Sequence, residues 1–234
     1  MTQRRQARAA VFLALAVLAA AACAILAADA WAPPQDLPWK PLALDQPVGL
    51  ATGWKVWWTG GDASRCRRIL SGGGVDFRPD AARGRPPYAV SAGGRMAMDD
   101  VALAPTRPLM GCREALAFAV WERQVVQPEA RAVLGAPVTA IEHLGTYNCR
   151  PVRGAGELSQ HAFANAIDVS GFRLADGREI TVAHDFRSAD AAGEFLRRVR
   201  DQSCRVFRVT LSPDFNADHR DHFHLDMGPW GQCR

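Results

Sequence analysis

Ala9 to Ala28 is an uninterrupted apolar run, and Arg4, Arg5 and Arg8 stand immediately before it. A basic flank leading into such a run directs a chain out of the cytoplasm. Twenty residues also suffice to span a bilayer, which needs about 20. Residues 1–30 are therefore expected to be a signal peptide or a membrane anchor. Ala28-Asp29-Ala30 offers a small-x-small cleavage site, and with the arginines held inside, the rest of the chain faces outward. Cys23 ends an Ala-rich stretch, but its neighbours do not form a lipidation box. Everything that follows must fold in an oxidising compartment.

That setting governs the reading of Cys66, Cys112, Cys149, Cys204 and Cys233. Five cysteines in an exported chain imply disulfides and one leftover thiol. None belongs to a CxxC pair, which argues against a cysteine zinc site or a redox motif. Cys204 with Cys233 would staple the last segment of the chain, and Cys66 with Cys112 is the second expected pair, leaving Cys149 free. The net charge is +4, and residues 1–30 hold three Arg and one Asp, leaving +2 for the remainder. Lys40 and Lys55 are the two lysines, and no basic run alternates with aromatics. Nucleic acid is excluded as a partner on that ground.

Residues 31–60 read as a Pro-rich spacer and lead-in, with five prolines and no helical or strand period over 31–50. The string WKVWW (54–58) reads as core or edge-strand packing, with a sugar-stacking surface as the alternative. Ser71-Gly72-Gly73-Gly74 lacks a following Gly-Lys-Ser/Thr and is a turn, and 79–87 is a loop. Apolar residues at three- and four-residue spacing predict a one-faced helix over 112–135, interrupted at Pro128. Strands are expected at 138–144, 166–172, 179–182, 206–211 and 223–227, with Asp176-Gly177 closing a hairpin. A second helix is expected at 190–201, with Phe195, Leu196 and Val199 as its buried stripe. Together these give an α+β fold, a single domain over 61–234 with a central antiparallel sheet and flanking helices. No internal repeat is present, and nothing in the sequence sets an oligomeric state.

DHRDHFHLDM (218–227) holds three of the six histidines: His219, His222 and His224. His143 and His184 read as structural. His161 lies seven residues before Asp168, where a loop would enter a strand. A neutral imidazole, a carboxylate and a second imidazole from the C-terminal cluster make three protein ligands. Three ligands leave one tetrahedral position open, which is the pattern of a catalytic zinc.

The motifs GTYNCR (145–150), LSQHAFANAIDVSGFRLADGR (158–178) and HRDHFHLD (219–226) resemble the bacterial extensin-like C-terminal domain family over about Cys66 to Arg234. Ser159-x-His161-x6-Asp168 with Asp221-His222-Phe223-His224 is also similar to zinc D-alanyl-D-alanine carboxypeptidases and murein endopeptidases. The resemblance implies Zn2+ as cofactor and His161, Asp168 and His224 as its ligands. It implies peptidoglycan stem or cross-link peptides as substrate, and a periplasmic site with the inner membrane held through residues 9–28. Asp221 stands where the carboxypeptidases place a catalytic Glu. His222 and His219 match the endopeptidase histidines two and five residues before the last ligand, so His222 is expected as general base/acid and His219 as its partner. Phe223 between them would pack beneath. Arg150 and Ser159 are expected to bind substrate, Arg150 although Tyr147-Asn148-Cys149 replaces the Gly-Tyr of the peptidases. Ala164 stands where that pattern often has Gly. The alternative expectation is a non-catalytic wall-binding protein that keeps the zinc scaffold.

Overall fold

The computed structural model describes residues 2–80, 90, 93–152, 154 and 156–234. Helix α1 (Thr2–Trp31) contains 27 residues, Arg5–Trp31, that are long and apolar enough to cross a membrane. Such a helix suits either a signal or an anchor, and the disulfides fit an extracytoplasmic location.

The Pro-rich segment is a strap on the domain and not an extended spacer. Leu37, Leu42 and Leu44 are buried, the last two in the main core. Prolines supply no backbone N–H, so the strap is fastened by domain side chains that donate to its carbonyls. Lys55 Nζ reaches Pro34 O at 2.5 Å, Gln124 Nε2 reaches Leu44 O at 2.8 Å, and Arg205 Nη2 reaches Val48 O at 3.1 Å. The WKVWW string forms helix α2 (Thr52–Thr59), with Val56 and Lys55 turned inward and the three indoles left at the surface. Helix α3 (Ala63–Gly72) follows, N-capped by Asp62, whose carboxylate accepts from the Ser64 and Arg65 amides.

A small antiparallel sheet of β1 (Val75–Pro79), β2 (Gly94–Met98) and β4 (Leu109–Met110) lies against α3. Of the loop expected at 79–87, only 79 and 80 fall among the described residues. Helix α4 (Cys112–Trp121) is buried on every side from Glu114 to Trp121, where the spacing had suggested one apolar face. Pro128 does not break it. The chain stays helical to Leu134 because π turns at Glu122–Val126 and Ala130–Leu134 flank the proline. These wider turns relieve the clash and the missing hydrogen bond that the ring would impose on a regular α-helix.

The main sheet runs β10-β8-β9-β6-β5-β3, with β7 beside the far half of β6. Its members are β3 (Ala102–Ala104), β5 (Val138–Gly145), β6 (Ala166–Leu174), β7 (Glu179–Thr181), β8 (Val209–Leu211), β9 (Phe223–Asp226) and β10 (Gln232–Cys233). The centre is antiparallel, as expected, but both edges join in parallel: β3 with β5, and β10 with β8. Strand β7 ends at Thr181 and Val182–Asp185 turns helical, while residues 206–208 precede β8 as a loop. Helix α5 (Ala191–Ser203), capped by Asp190, covers the sheet through Phe195, Leu196 and Val199. Trp121 locks α4 to both layers: its Nε1 donates to Ser203 Oγ at 2.7 Å, and its ring meets Phe172 at 6.1 Å. The pairs Cys66–Cys112 and Cys204–Cys233, both named from the sequence, are bonded, and Cys149 is free and exposed.

Glu114 is fully buried on α4, and neither carboxylate oxygen has a hydrogen-bond partner among the described residues. Burial, followed by the charge of Asp226, pushes its pKa well above the usual 4.5. Above pH 4.5 the unfolded chain releases this proton while the folded chain keeps it, so folding binds one proton more. The group's contribution to stability is complete below pH 4.5 and falls as pH rises toward the folded pKa, by about 1.4 kcal/mol per pH unit. Glu114→Gln should remove that slope, so its advantage over the parent in urea unfolding grows between pH 5 and pH 7. A pH-independent difference between the two would contradict this.

Candidate functional site: a histidine–aspartate centre

The alternation of β9 accounts for half the site. Phe223 and Leu225 are fully buried in the core, Phe223 edge-on to Phe186, so His222, His224 and Asp226 take the other face. Antiparallel register then sets Asp168 of β6 directly opposite His224. Gly145 of β5 pairs with Asp168 on its other side, and Leu211 of β8 pairs with His224. One row across the sheet therefore reads Leu211, His224, Asp168, Gly145.

His161 arrives from outside the sheet on a 3-10 turn (Gln160–Phe163). Ser159 caps that turn, its Oγ accepting from the His161 amide at 3.3 Å. Ser159 is buried, its hydroxyl holds the loop, and the residue also lines the cleft beside His161. The turn closes at Ala164, in the left-handed region with φ 51° and ψ 33°. That is the conformation glycine adopts without penalty, and here a residue with a Cβ holds it. The bend delivers the chain into β6 at Ala166.

The three side chains meet closely. His161 Nε2 lies 3.2 Å from Asp168 Oδ1 and 3.2 Å from His224 Nδ1, and His224 Nδ1 lies 2.9 Å from Asp168 Oδ1. Each imidazole is oriented by a partner that only accepts. His161 Nδ1–H donates to the Thr146 carbonyl at 3.2 Å, and His224 Nε2–H donates to Asp226 Oδ2 at 3.0 Å. Both inner nitrogens are thereby left with lone pairs, which point with a carboxylate at one spot. Ligands about 2.0–2.1 Å from a tetrahedral ion stand roughly 3.3 Å apart, so the spacing and the donor set fit a divalent metal.

Protons alone would balance this cluster by charging His224. Burial pushes that imidazole down, but hydrogen bonds to Asp168 and Asp226, then their charges, bring it up to about 9. Burial raises Asp168, yet the bonds from His161 and His224 outweigh it and hold the carboxyl well below the usual carboxylate range. A divalent cation neutralises the same groups without a proton.

His222 stands beside the centre, its Nε2 3.6 Å from Asp168 Oδ1. Asp221 Oδ1 accepts from His222 Nδ1–H at 2.9 Å, which fixes the tautomer and leaves Nε2 as the acceptor. Asp221 thus steers His222, and the same bond holds its own pKa down. His219 Nδ1–H donates to Asn216 Oδ1 at 2.7 Å, and its ring lies 5.2 Å from that of His222. Burial first, then the neighbouring imidazoles, lowers His219 to about 4, so it is neutral at pH 7. Arg150 lines the cleft rim, with Nη1 3.3 Å from Pro151 O. The cleft above the centre encloses about 1000 Å³. His143 Nε2–H donates to Thr106 O at 2.9 Å inside the fold and His184 is exposed; neither joins the site. Asp226 is not among the site residues named from the sequence. Its position two residues after His224 in an alternating strand was the signal that it belongs to the same face.

The fold and the site together define an α+β extracytoplasmic protein with a two-histidine, one-aspartate centre on an open sheet face. Residues 64–234 match the family described as extensin-like protein C-terminus, and the chain belongs to that family. Neither a curated protein nor a solved structure matches it.

Proposed function

We propose that the chain is an exported zinc peptidase of the periplasm that hydrolyses stem or cross-link peptides of peptidoglycan, held to the inner membrane by α1. The observation that carries this reading is the convergence of two imidazole lone pairs and the Asp168 carboxylate in a cleft of about 1000 Å³. His161, Asp168 and His224 would hold the zinc. When bound, it supplies a Lewis acid that polarises a carbonyl and acidifies water.

The chain's own groups do the rest. His222 Nε2 would take a proton from the attacking water and return it to the leaving amine. Asp221 keeps that nitrogen free by holding the opposite N–H. His219, neutral beside it, offers Nε2 as an acceptor to the charged form of His222. Arg150 at the rim supplies a positive group for a peptide carboxylate. Asp226 fixes the orientation of His224. Asp226→Asn should weaken zinc affinity about 10–100-fold, read by competition with a chromogenic chelator, and unchanged affinity would remove Asp226 from this role.

The direct test is the purified full-length chain in detergent, assayed for metal content and for release of fragments from peptidoglycan sacculi. One zinc per chain with peptide-bond cleavage is the expected result. Stoichiometric zinc without release from any of several wall preparations would leave a non-catalytic wall-binding protein.

A further inference from the structure

Trp54, Trp57 and Trp58 share an eight-residue helix, yet they are 48, 36 and 57 % exposed. The same helix already packs through Val56, which is fully buried, so its other face is free to serve a different purpose. Three surface indoles within two turns form an apolar patch of the kind that marks a binding face. They are also pre-set. Trp54 and Trp58, four residues apart, stack with planes 6° from parallel and centroids 5.8 Å apart. Trp57 carries the Arg113 guanidinium 4.7 Å above its ring, and Arg113 Nε donates to Trp57 O at 3.0 Å.

Trp54 and Trp57 line a second cleft of about 760 Å³. Gln160 lines both this cleft and the one over the histidine centre, so the two meet at that side chain. Gln160 is itself fixed in place. Asn165 Nδ2 donates to Gln160 Oε1 at 2.8 Å, and a Cβ at Gly228 would come within 2.7 Å of Gln160 Cδ. The described lining of the second cleft holds Arg113 and Arg208 and no carboxylate, whereas the first is rich in Asp.

We propose that the second cleft binds a chain of N-acetylated amino sugars, the glycan of the wall polymer, whose attached peptide crosses Gln160 to reach the histidine centre. The inference rests on the reading of that centre as a wall-peptide site. A pyranose ring presents a flat C–H face that packs on an indole, while its rim of hydroxyl and acetamido groups needs amide partners. Trp54 and Trp57 supply the first, and Gln160 and Asn165 the second. Arg113 and Arg208 match the carboxylates of the attached peptide. A bilayer-facing aromatic belt would be convex and apolar, and these indoles open instead into a concavity that amides and guanidinium groups also line.

The test titrates the full-length chain, in a sugar-free detergent, with the tetramer of N-acetylglucosamine and with glycan strands stripped of peptide, following binding by calorimetry. Wild-type chain should bind both. Trp54→Ala and Trp57→Ala should each weaken binding at least tenfold while keeping the parent's metal content. Trp31→Ala, an exposed indole on α1, should leave binding unchanged. Absence of saccharide binding, or equal binding by Trp54→Ala and Trp57→Ala, overturns the proposal. Loss of saccharide binding together with quenching of these indoles by brominated lipids in vesicles would assign the face to the membrane. Because the titration needs no turnover, a chain that binds saccharide through Trp54 but cleaves nothing refutes the peptidase and keeps the groove.

Discussion

His222→Ala should lower kcat for peptide release by about 10²–10⁴-fold, the range for loss of a general acid–base group, while one zinc per chain remains. The separation follows from geometry. His222 is not one of the three groups whose lone pairs meet, and its Nε2 stays 3.6 Å from Asp168 Oδ1. Its removal leaves the Thr146 and Asp226 bonds that orient His161 and His224 intact. Phe223, which anchors this part of β9 in the core, is also untouched. KM should change little, since the ring acts on a proton and not on substrate grip. Metal content and steady-state kinetics on one preparation read both quantities. Full activity in His222→Ala would assign the proton transfer to another group.

His161→Ala should lose metal and activity together. Structural zinc sites bind with about 10–16 kcal/mol, so loss of one of three protein ligands should cost on the order of 10³-fold in affinity. The fold should survive, because Ser159 still caps the turn and Gly111 N still donates to Ala164 O, at 2.6 Å. Far-UV circular dichroism alongside metal analysis distinguishes a lost ligand from a lost fold. Retention of stoichiometric, tightly bound zinc would place the metal elsewhere.

The site was more legible in the sequence than the fold around it. His222, His224 and Asp226 are spaced by two, and apolar Phe223 and Leu225 fall between them, so a strand with one polar face is written into the string itself. The seven-residue step from His161 to Asp168 was visible, but the left-handed turn at Ala164 that makes it work was signalled only by a comparison with glycine. The strap over 34–48 was missed because prolines erase the periodicity by which burial is usually read. Its fastenings come from Lys55, Gln124 and Arg205, far along the chain. Pro128 misled in the other direction, since a wide helical turn leaves no pattern in side-chain spacing. The parallel edges of the sheet depend on which distant strand arrives beside β5 and β8, and local sequence does not encode that. The indole triplet was expected inside and lies outside, because Val56 and Lys55 had already taken the inward positions of their short helix.

The bond between Cys204 and Cys233 closes a covalent ring around β8, the 216–222 turn and β9. His219, Asp221, His222, His224 and Asp226 lie inside that ring, and His161 and Asp168 lie outside it. Glutathione keeps such a ring open in the cytoplasm, and it closes only in an oxidising compartment. The staple thus adds, only under oxidising conditions, a covalent tie to a strand that its neighbours β6 and β8 already hold by hydrogen bonds.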